Sequence, residues 1–368
     1  MRRLSTGQRL LLRKWFPACL SAAIAWLLML IVGETPIARA SGLALAIFGV
    51  TAGMRQMGFV ASIAGGLTLA LCPVFWSQTG GDQSQSTTFT LAAGAAGLAM
   101  LAATRLLKRS DLGIGLGIVL FLLIFWSQIG TAQSLRLTGL VTAWLLYLLV
   151  DMILLTNPRP GIQPAQKPKT WHTAGLLFLF AVGAINDPLV TLLAPALLLA
   201  LFLSYARLSA PYWLGILAIT AFGSYLLIRA YVFPAPTPLD IWGWREAASW
   251  IELGQLVIAQ FSIFGIVLGV IGLARLSRWY PPLGTVTMIA YAAYICFGLT
   301  YRGSHREVLL IPLFIIQVMW MTYAVNTIGQ WVNKSLGDDS GRWIHIVSSL
   351  YFVLPAFLFL ESVRSSIS

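Results

Sequence analysis

The stretch YRGSHRE, residues 301–307, sets two guanidinium groups, an imidazole and a carboxylate within seven positions, directly before the apolar run VLLIPLFIIQVMW. Arg302 and Arg306 suit a phosphate or diphosphate, because a guanidinium fork matches two phosphate oxygens through charge-assisted hydrogen bonds. His305 between them can exchange a proton near neutral pH. Glu307 either meets a ligand or pairs with one of the arginines, and in the second case the stretch is an ion-paired cap on a helix. A second concentration is RAYVFPAPTPLDIWGWREAASWIELG, residues 229–254. Its prolines at 234, 236 and 238 favour an extended approach, after which Asp240 can orient the tight segment Ile241-Trp242-Gly243-Trp244. Glu246, Trp250 and Glu252 then recur at a spacing that suits a short helix lying on a membrane surface. Aromatic faces beside carboxylates suit a sugar, so Asp240, Trp242, Trp244 and Glu307 are candidate sugar or acceptor contacts; an ordinary interfacial loop has the same composition.

Three more carboxylates have the chemistry of a general base. Glu34 lies in ETPIARA, Asp82 in SQTGGDQSQSTT, and Asp187 in Asn186-Asp187-Pro188, which interrupts an otherwise continuous apolar run. Each also has a plain structural use: Asp82 can cap a helix beginning near Thr87, and Asn-Asp-Pro makes a tight turn into a following helix. Asp151, in LLVDMILL, is expected to pair or to reach the headgroups and to have no catalytic role. His172, His305 and His345 are scattered, and there is no HExxH, no cysteine pair and no phosphate-binding glycine loop. No metal or cofactor is therefore implied, although one carboxylate with a lipid phosphate could hold a divalent cation. Cys19, Cys72 and Cys296 sit in apolar runs and read as packing residues.

The elements that must position these groups are membrane spans. Of 368 residues, 58% are hydrophobic and 10% charged, against about 25% charged in a typical soluble domain. The uncharged runs approach or reach the roughly 17–25 residues that cross hydrocarbon, and they lack the two-residue alternation of a barrel strand. The reading is an all-α polytopic protein forming a single transmembrane domain, with spans near 16–33, 41–54, 57–76, 86–104, 112–129, 135–155, 171–185, 188–206, 211–230, 255–274, 282–300, 307–328 and 343–361. The short pairs 41–54/57–76 and 171–185/188–206 could each be one span plus a re-entrant piece, which gives a range of about 11 to 13. The opening LSTGQRLLLRKWF is expected to lie along the interface. With the N-terminus in the cytoplasm, only Arg39, Arg136, Arg229, Arg245, Arg302, Arg306 and Arg364 of the 24 Lys and Arg residues fall outside. That bias follows the retention of basic residues on the cytoplasmic side, and it accounts for the net charge of +12 by anionic lipid, with no nucleic acid required. Residues 71–80 (LCPVFWSQTG) and 121–130 (FLLIFWSQIG) both end an apolar run in Phe-Trp-Ser-Gln. Their tryptophans are expected to mark the membrane boundary, either as an internal repeat or as members of the aromatic belt.

Four stretches, in order, carry a family resemblance: LCPVFWSQTGGDQ, GAINDPLVTLLAPALLL, YLLIRAYVFPAPTPLDIWGW and RGSHREVLLIPLFIIQVMW. Over roughly residues 57–330 the chain resembles the multi-pass, lipid-dependent glycosyltransferases (GT-C type), in a bacterial uncharacterised-domain branch related to protein O-mannosyltransferases. The resemblance implies a protein of the bacterial inner membrane that transfers a sugar from a polyprenyl-phosphate carrier to an acceptor hydroxyl at the outer face. It implies a carboxylate as general base, and the lipid phosphate would then meet Arg302, His305 and Arg306, the phosphate candidates by their own chemistry. The chain departs from the family where that base is expected, because only ETPIARA separates its first two apolar runs, leaving Glu34 beside Asp82 and Asp187 as candidates. Asp187 stands where the family has His. Two alternatives belong to other classes. One is a non-catalytic scaffold subunit on the same fold, with a membrane-protein partner; the other is a secondary transporter, which requires paired broken helices and polar residues at mid-membrane.

Overall fold

The computed structural model describes residues 6–79, 133–157, 166, 170–204, 210–234, 236–337 and 341–367. Over these residues the longer helices are numbered α1 (Thr6–Ile31), α2 (Ile37–Gly53), α3 (Phe59–Leu71), α4 (Gln133–Thr156), α5 (Thr170–Asn186), α6 (Ala194–Leu203), α7 (Ala210–Tyr231), α8 (Ala247–Trp279), α9 (Pro281–Thr300), α10 (Ile311–Ser335), α11 (Arg342–Leu350) and α12 (Val353–Ile367). One-turn helices at Pro73–Trp76 and Arg306–Leu309 follow α3 and precede α10. Six stretches among the described residues are long and apolar enough to cross a bilayer, the last of them spanning α11 and α12 together. The chain is an all-α, multi-span membrane protein. The expected spans 86–104 and 112–129, Asp82 and the second Phe-Trp-Ser-Gln lie outside the described residues.

The centre is built on α3 and α10. Ala61–Leu71 and Ile311–Asn326 are buried on every face, whereas α7 turns Leu214, Leu217, Phe222 and Tyr225 outward. An apolar outer surface around a packed interior is what hydrocarbon solvent permits, since lipid covers leucine at no cost. Small residues bring the central helices close. A Cβ on Gly272 of α8 would lie 1.9 Å from the Trp320 carbonyl oxygen of α10, so only glycine allows this approach. The short pairs resolve as hairpins: Ser62 of α3 donates to the Met54 carbonyl at 2.7 Å, and α5 reverses at Asp187 through a 3₁₀ turn, Pro188–Leu193, into α6.

Several boundaries differ from the sequence expectation. The basic opening is not a separate surface helix from Thr6 onward but the first turns of α1, whose 26 residues extend about 39 Å at 1.5 Å per residue. The expected surface helix after Glu246 is continuous with the span and makes α8 33 residues long. The 57–76 span breaks at Cys72 (ψ 144°), because Pro73 excludes helical geometry from the residue before it. Trp76 faces the protein interior. It is 8% exposed and meets Phe359 edge-on at 6.3 Å.

Candidate functional site

At one end of the bundle the segment between α7 and α8 is stitched to the segment between α9 and α10. Arg302 N–H donates to the Pro238 carbonyl at 2.8 Å and Asp240 N–H to the Thr300 carbonyl at 2.7 Å. Asp240 turns the chain by accepting from Trp242 N–H at 3.1 Å. Gly243 then passes close under α9, where a Cβ would lie 2.5 Å from the Leu299 carbonyl oxygen. Tyr301 donates to the Ser304 carbonyl at 3.0 Å; its burial raises the phenol above its ordinary range.

These contacts place Arg302 among carboxylates. Its Nη2 donates to Glu246 and, at 2.8 Å, to Ser249 Oγ, and lies 3.5 Å from Asp240 Oδ2. Its Nη1 is 3.8 Å from Glu252, which also accepts from Arg306 Nη1 at 3.2 Å. Arg306 Nε and Nη2 are enclosed and have no hydrogen-bond partner among the described residues. Beside this cluster Arg245 stacks 4.0 Å over Trp242 and 5.1 Å from Trp244, and Trp250 Nε1 donates to the Trp244 carbonyl at 2.8 Å. The tryptophans at 242, 244 and 250 are exposed.

Beneath the cluster lies an apolar groove of about 400 Å³. It starts at Trp250 and Leu253, one turn past Ser249, and runs between α8, α9 and α10 to Gln317 and Trp320. The floor is fixed by Gln317, whose amide donates to the Gly265 carbonyl at 2.9 Å. The groove is apolar, has no charged residue in its lining, and begins at Trp250, the residue after Ser249.

The structure brings Asp240, Arg302 and Arg306 together and sets Trp242 and Trp244 beside them. His305 is exposed in a left-handed conformation (φ 57°) at the start of the one-turn helix, and Glu307 is half-buried within it. Glu34 is exposed at φ 44° in the turn after α1, where a Cβ on the neighbouring Gly33 would lie 3.2 Å from Thr79 Cβ. Asp187 is buried and separate from the arginines. Its carboxylate accepts from Leu189 N–H at 3.0 Å and Thr138 Oγ1 at 2.9 Å, and it neighbours Tyr231 and Tyr294. Tyr231 in turn packs on Tyr301 with ring centroids 6.0 Å apart. Glu246, Ser249 and Glu252 join the site as partners of Arg302, and the helical spacing in REAASWIEL is the sequence signal that places the three along a common helix.

At the opposite end, Asp151 pairs with Arg55, as its position in an apolar run requires, and lies 3.1 Å from His172 Nε2. Arg55 also stands over the Tyr147 ring, 5.6 Å from its centroid. Among the described residues no group of three or more His, Cys, Asp or Glu is placed to hold a metal ion. No family model matches the chain, and no curated protein or solved structure matches it.

Proposed function

We propose that the protein is a membrane-embedded, glycosyltransferase-like protein that seats a polyprenyl-phosphate-linked sugar, with the prenyl tail in the groove between α8, α9 and α10 and the phosphate at Arg302 and Arg306. The observation that carries this reading is that the apolar groove begins at Trp250 and Leu253 of α8, next along the chain to Ser249, which accepts from Arg302. Trp242 and Trp244 offer exposed faces for a sugar, and His305 stands beside the phosphate position. In the transfer an acceptor hydroxyl gives its proton to a carboxylate and its oxygen bonds to the anomeric carbon. The bond from that carbon to the lipid phosphate breaks, and the phosphate leaves with the electron pair. Glu34, Asp82 and Asp187 are the proposed bases. Of the two described, Glu34 is open to an acceptor and Asp187 is enclosed. The site faces the outside of a bacterial inner membrane when the N-terminus is cytoplasmic.

One observation favours a second reading, a non-catalytic scaffold subunit: Arg302 already has three carboxylates around it, which oppose an incoming phosphate. Native mass spectrometry of the gently solubilised protein separates the two. Co-purified polyprenyl-phosphate sugar that is lost in Arg306→Ala supports the first reading, and a stoichiometric protein partner without lipid supports the second. Vesicle assays of sugar transfer with Glu34→Gln and Asp187→Asn then test the bases; undiminished turnover in both removes them from the mechanism.

A further inference from the structure

Two carboxylates among the described residues are buried, Asp151 at 6% exposure and Asp187 at 7%. Asp151 has Arg55 as its counter-ion. Asp187 has none: no Lys, Arg or His among the described residues forms an ion pair with it. It sits in the turn between α5 and α6, outside the apolar stretches His172–Asn186 and Pro188–Leu203 on either side. A buried carboxyl group either pairs with a cation or gives up its charge by keeping a proton.

The surroundings of Asp187 serve an ionised group poorly. Its Oδ1 accepts from Leu189 N–H at 3.0 Å, and its Oδ2 lies 2.9 Å from Thr138 Oγ1 of α4. A carboxylate offers about four acceptor positions, so these two partners fill half of them. Asn186 gives its amide hydrogen to Thr138 Oγ1 at 3.3 Å, not to Asp187. The titratable neighbours are Tyr231 of α7 and Tyr294 of α9. The Tyr294 hydroxyl is spent on the Leu189 carbonyl at 3.1 Å. Charged residues on the helices packed here are placed elsewhere: Asp151 and His172 meet at the opposite end, and Arg229 is exposed. Arg136 precedes Thr138 by two positions, a spacing that does not share a helix face. Arg302 and Arg306, in the neighbouring loop, pair with Glu246 and Glu252.

A neutral acid fits the same contacts. Its O–H donates to Thr138 Oγ1 across the 2.9 Å separation, while Oδ1, as the carbonyl oxygen, still accepts from Leu189 N–H. The threonine oxygen has two lone pairs, one for Asp187 and one for the Asn186 amide. Its own hydrogen is then free for the backbone carbonyl one turn earlier, the ordinary partner of a hydroxyl in a helix. No polar contact is lost and no charge stays buried.

We propose that Asp187 is a proton-binding site, a carboxylic acid that remains neutral at neutral pH and ties the α5–α6 turn to α4 by donating to Thr138. An acid that already holds its proton accepts no other, so the base of the transfer reaction is then Glu34 or Asp82. The site itself rests on the turn alone and stands whether or not sugar is transferred.

The test is infrared spectroscopy of the full chain in lipid nanodiscs at neutral pH. A protonated carboxyl group gives a C=O band well above the carboxylate bands, and the band shifts in heavy water. The native protein shows this band, Asp187→Asn lacks it and Asp151→Asn keeps it. Thermal unfolding in detergent gives a second readout. The native state keeps a proton that the unfolded chain releases above about pH 4. The stabilisation is therefore complete below that pH and is lost as pH rises toward the value at which native Asp187 ionises, by up to about tenfold in the folding equilibrium per pH unit. Asp187→Asn, uncharged in both states, lacks that slope. Absence of the acid band from the native protein overturns the proposal, as does its loss in Asp151→Asn instead of Asp187→Asn. A midpoint that rises with sodium chloride over choline chloride in the native protein and not in Asp187→Asn also overturns it, because the ligand is then a monovalent cation. Should Asp187→Asn fail to fold, Thr138→Val decides: it removes the hydrogen-bonded oxygen, so the acid band moves to higher frequency, and a band that stays in place overturns the proposal.

Discussion

The protein sets arginine against carboxylate at both ends of its bundle, in two different settings. At one end Arg55 and Asp151 are 15% and 8% exposed and His172 is 1% exposed, three groups closed into the interior between α2, α4 and α5. At the other end Arg302 is 31% exposed, and its partners Glu246 and Glu252 are more than half exposed. In the first, Arg55 and Asp151 neutralise each other, and removing one strands a buried charge. In the second, water and salt already weaken each pair, so losing one partner costs little. The same chemical pair is therefore a structural tie where it is dry and a loosely held surface pair where it is wet.

Substitutions that treat the two ends alike would break this contrast. The largest effect is expected for Asp151→Ala, which leaves Arg55 buried without its carboxylate and costs about 3–5 kcal/mol; thermal unfolding in detergent measures it, and a loss below 1 kcal/mol would make the two ends equivalent. Arg302→Ala comes next, through binding rather than stability. It lowers retention of a polyprenyl phosphate about tenfold, or ~1.4 kcal/mol, in a vesicle binding assay, with the unfolding midpoint nearly unchanged. Glu246→Gln costs under about 1 kcal/mol at low salt. That cost fades as added salt shortens the screening length from about 8 Å to about 3 Å, whereas the Asp151→Ala penalty persists at high salt. The smallest effect belongs to Arg245→Ala, about 0.5–1 kcal/mol from its stacking on Trp242 and Trp244, read as a small shift in tryptophan emission and midpoint.

Hydropathy located most of the described spans, because a run such as Leu256–Leu273 has to lie in hydrocarbon whatever it packs against. Burial of Asp151 with a partner was legible for the same reason: a carboxylate in LLVDMILL has no water to turn to. Its partner was not, since Arg55 lies 96 residues away and one loop arginine looks like any other. The joining of REAASWIEL to the following span escaped because a surface helix and the first turns of a long helix share one composition. The break in α8 at Ser262 (φ 59°) carries no proline or glycine at the position itself. It exists inside the close approach of α8 to α10, where Gln317 takes up the Gly265 carbonyl.

The sequence by itself determined that this is a helical membrane protein whose charged and aromatic residues concentrate in the stretches 229–254 and 301–307. Those are consequences of transfer free energy and local backbone preference, which each segment expresses alone. Tertiary structure decided that Glu246, Ser249 and Glu252 gather around Arg302 and that Asp187 is buried against Thr138 and Leu189. Side chains reach only a few ångströms, so who meets whom is set by how the helices pack, and that packing depends on the whole chain at once.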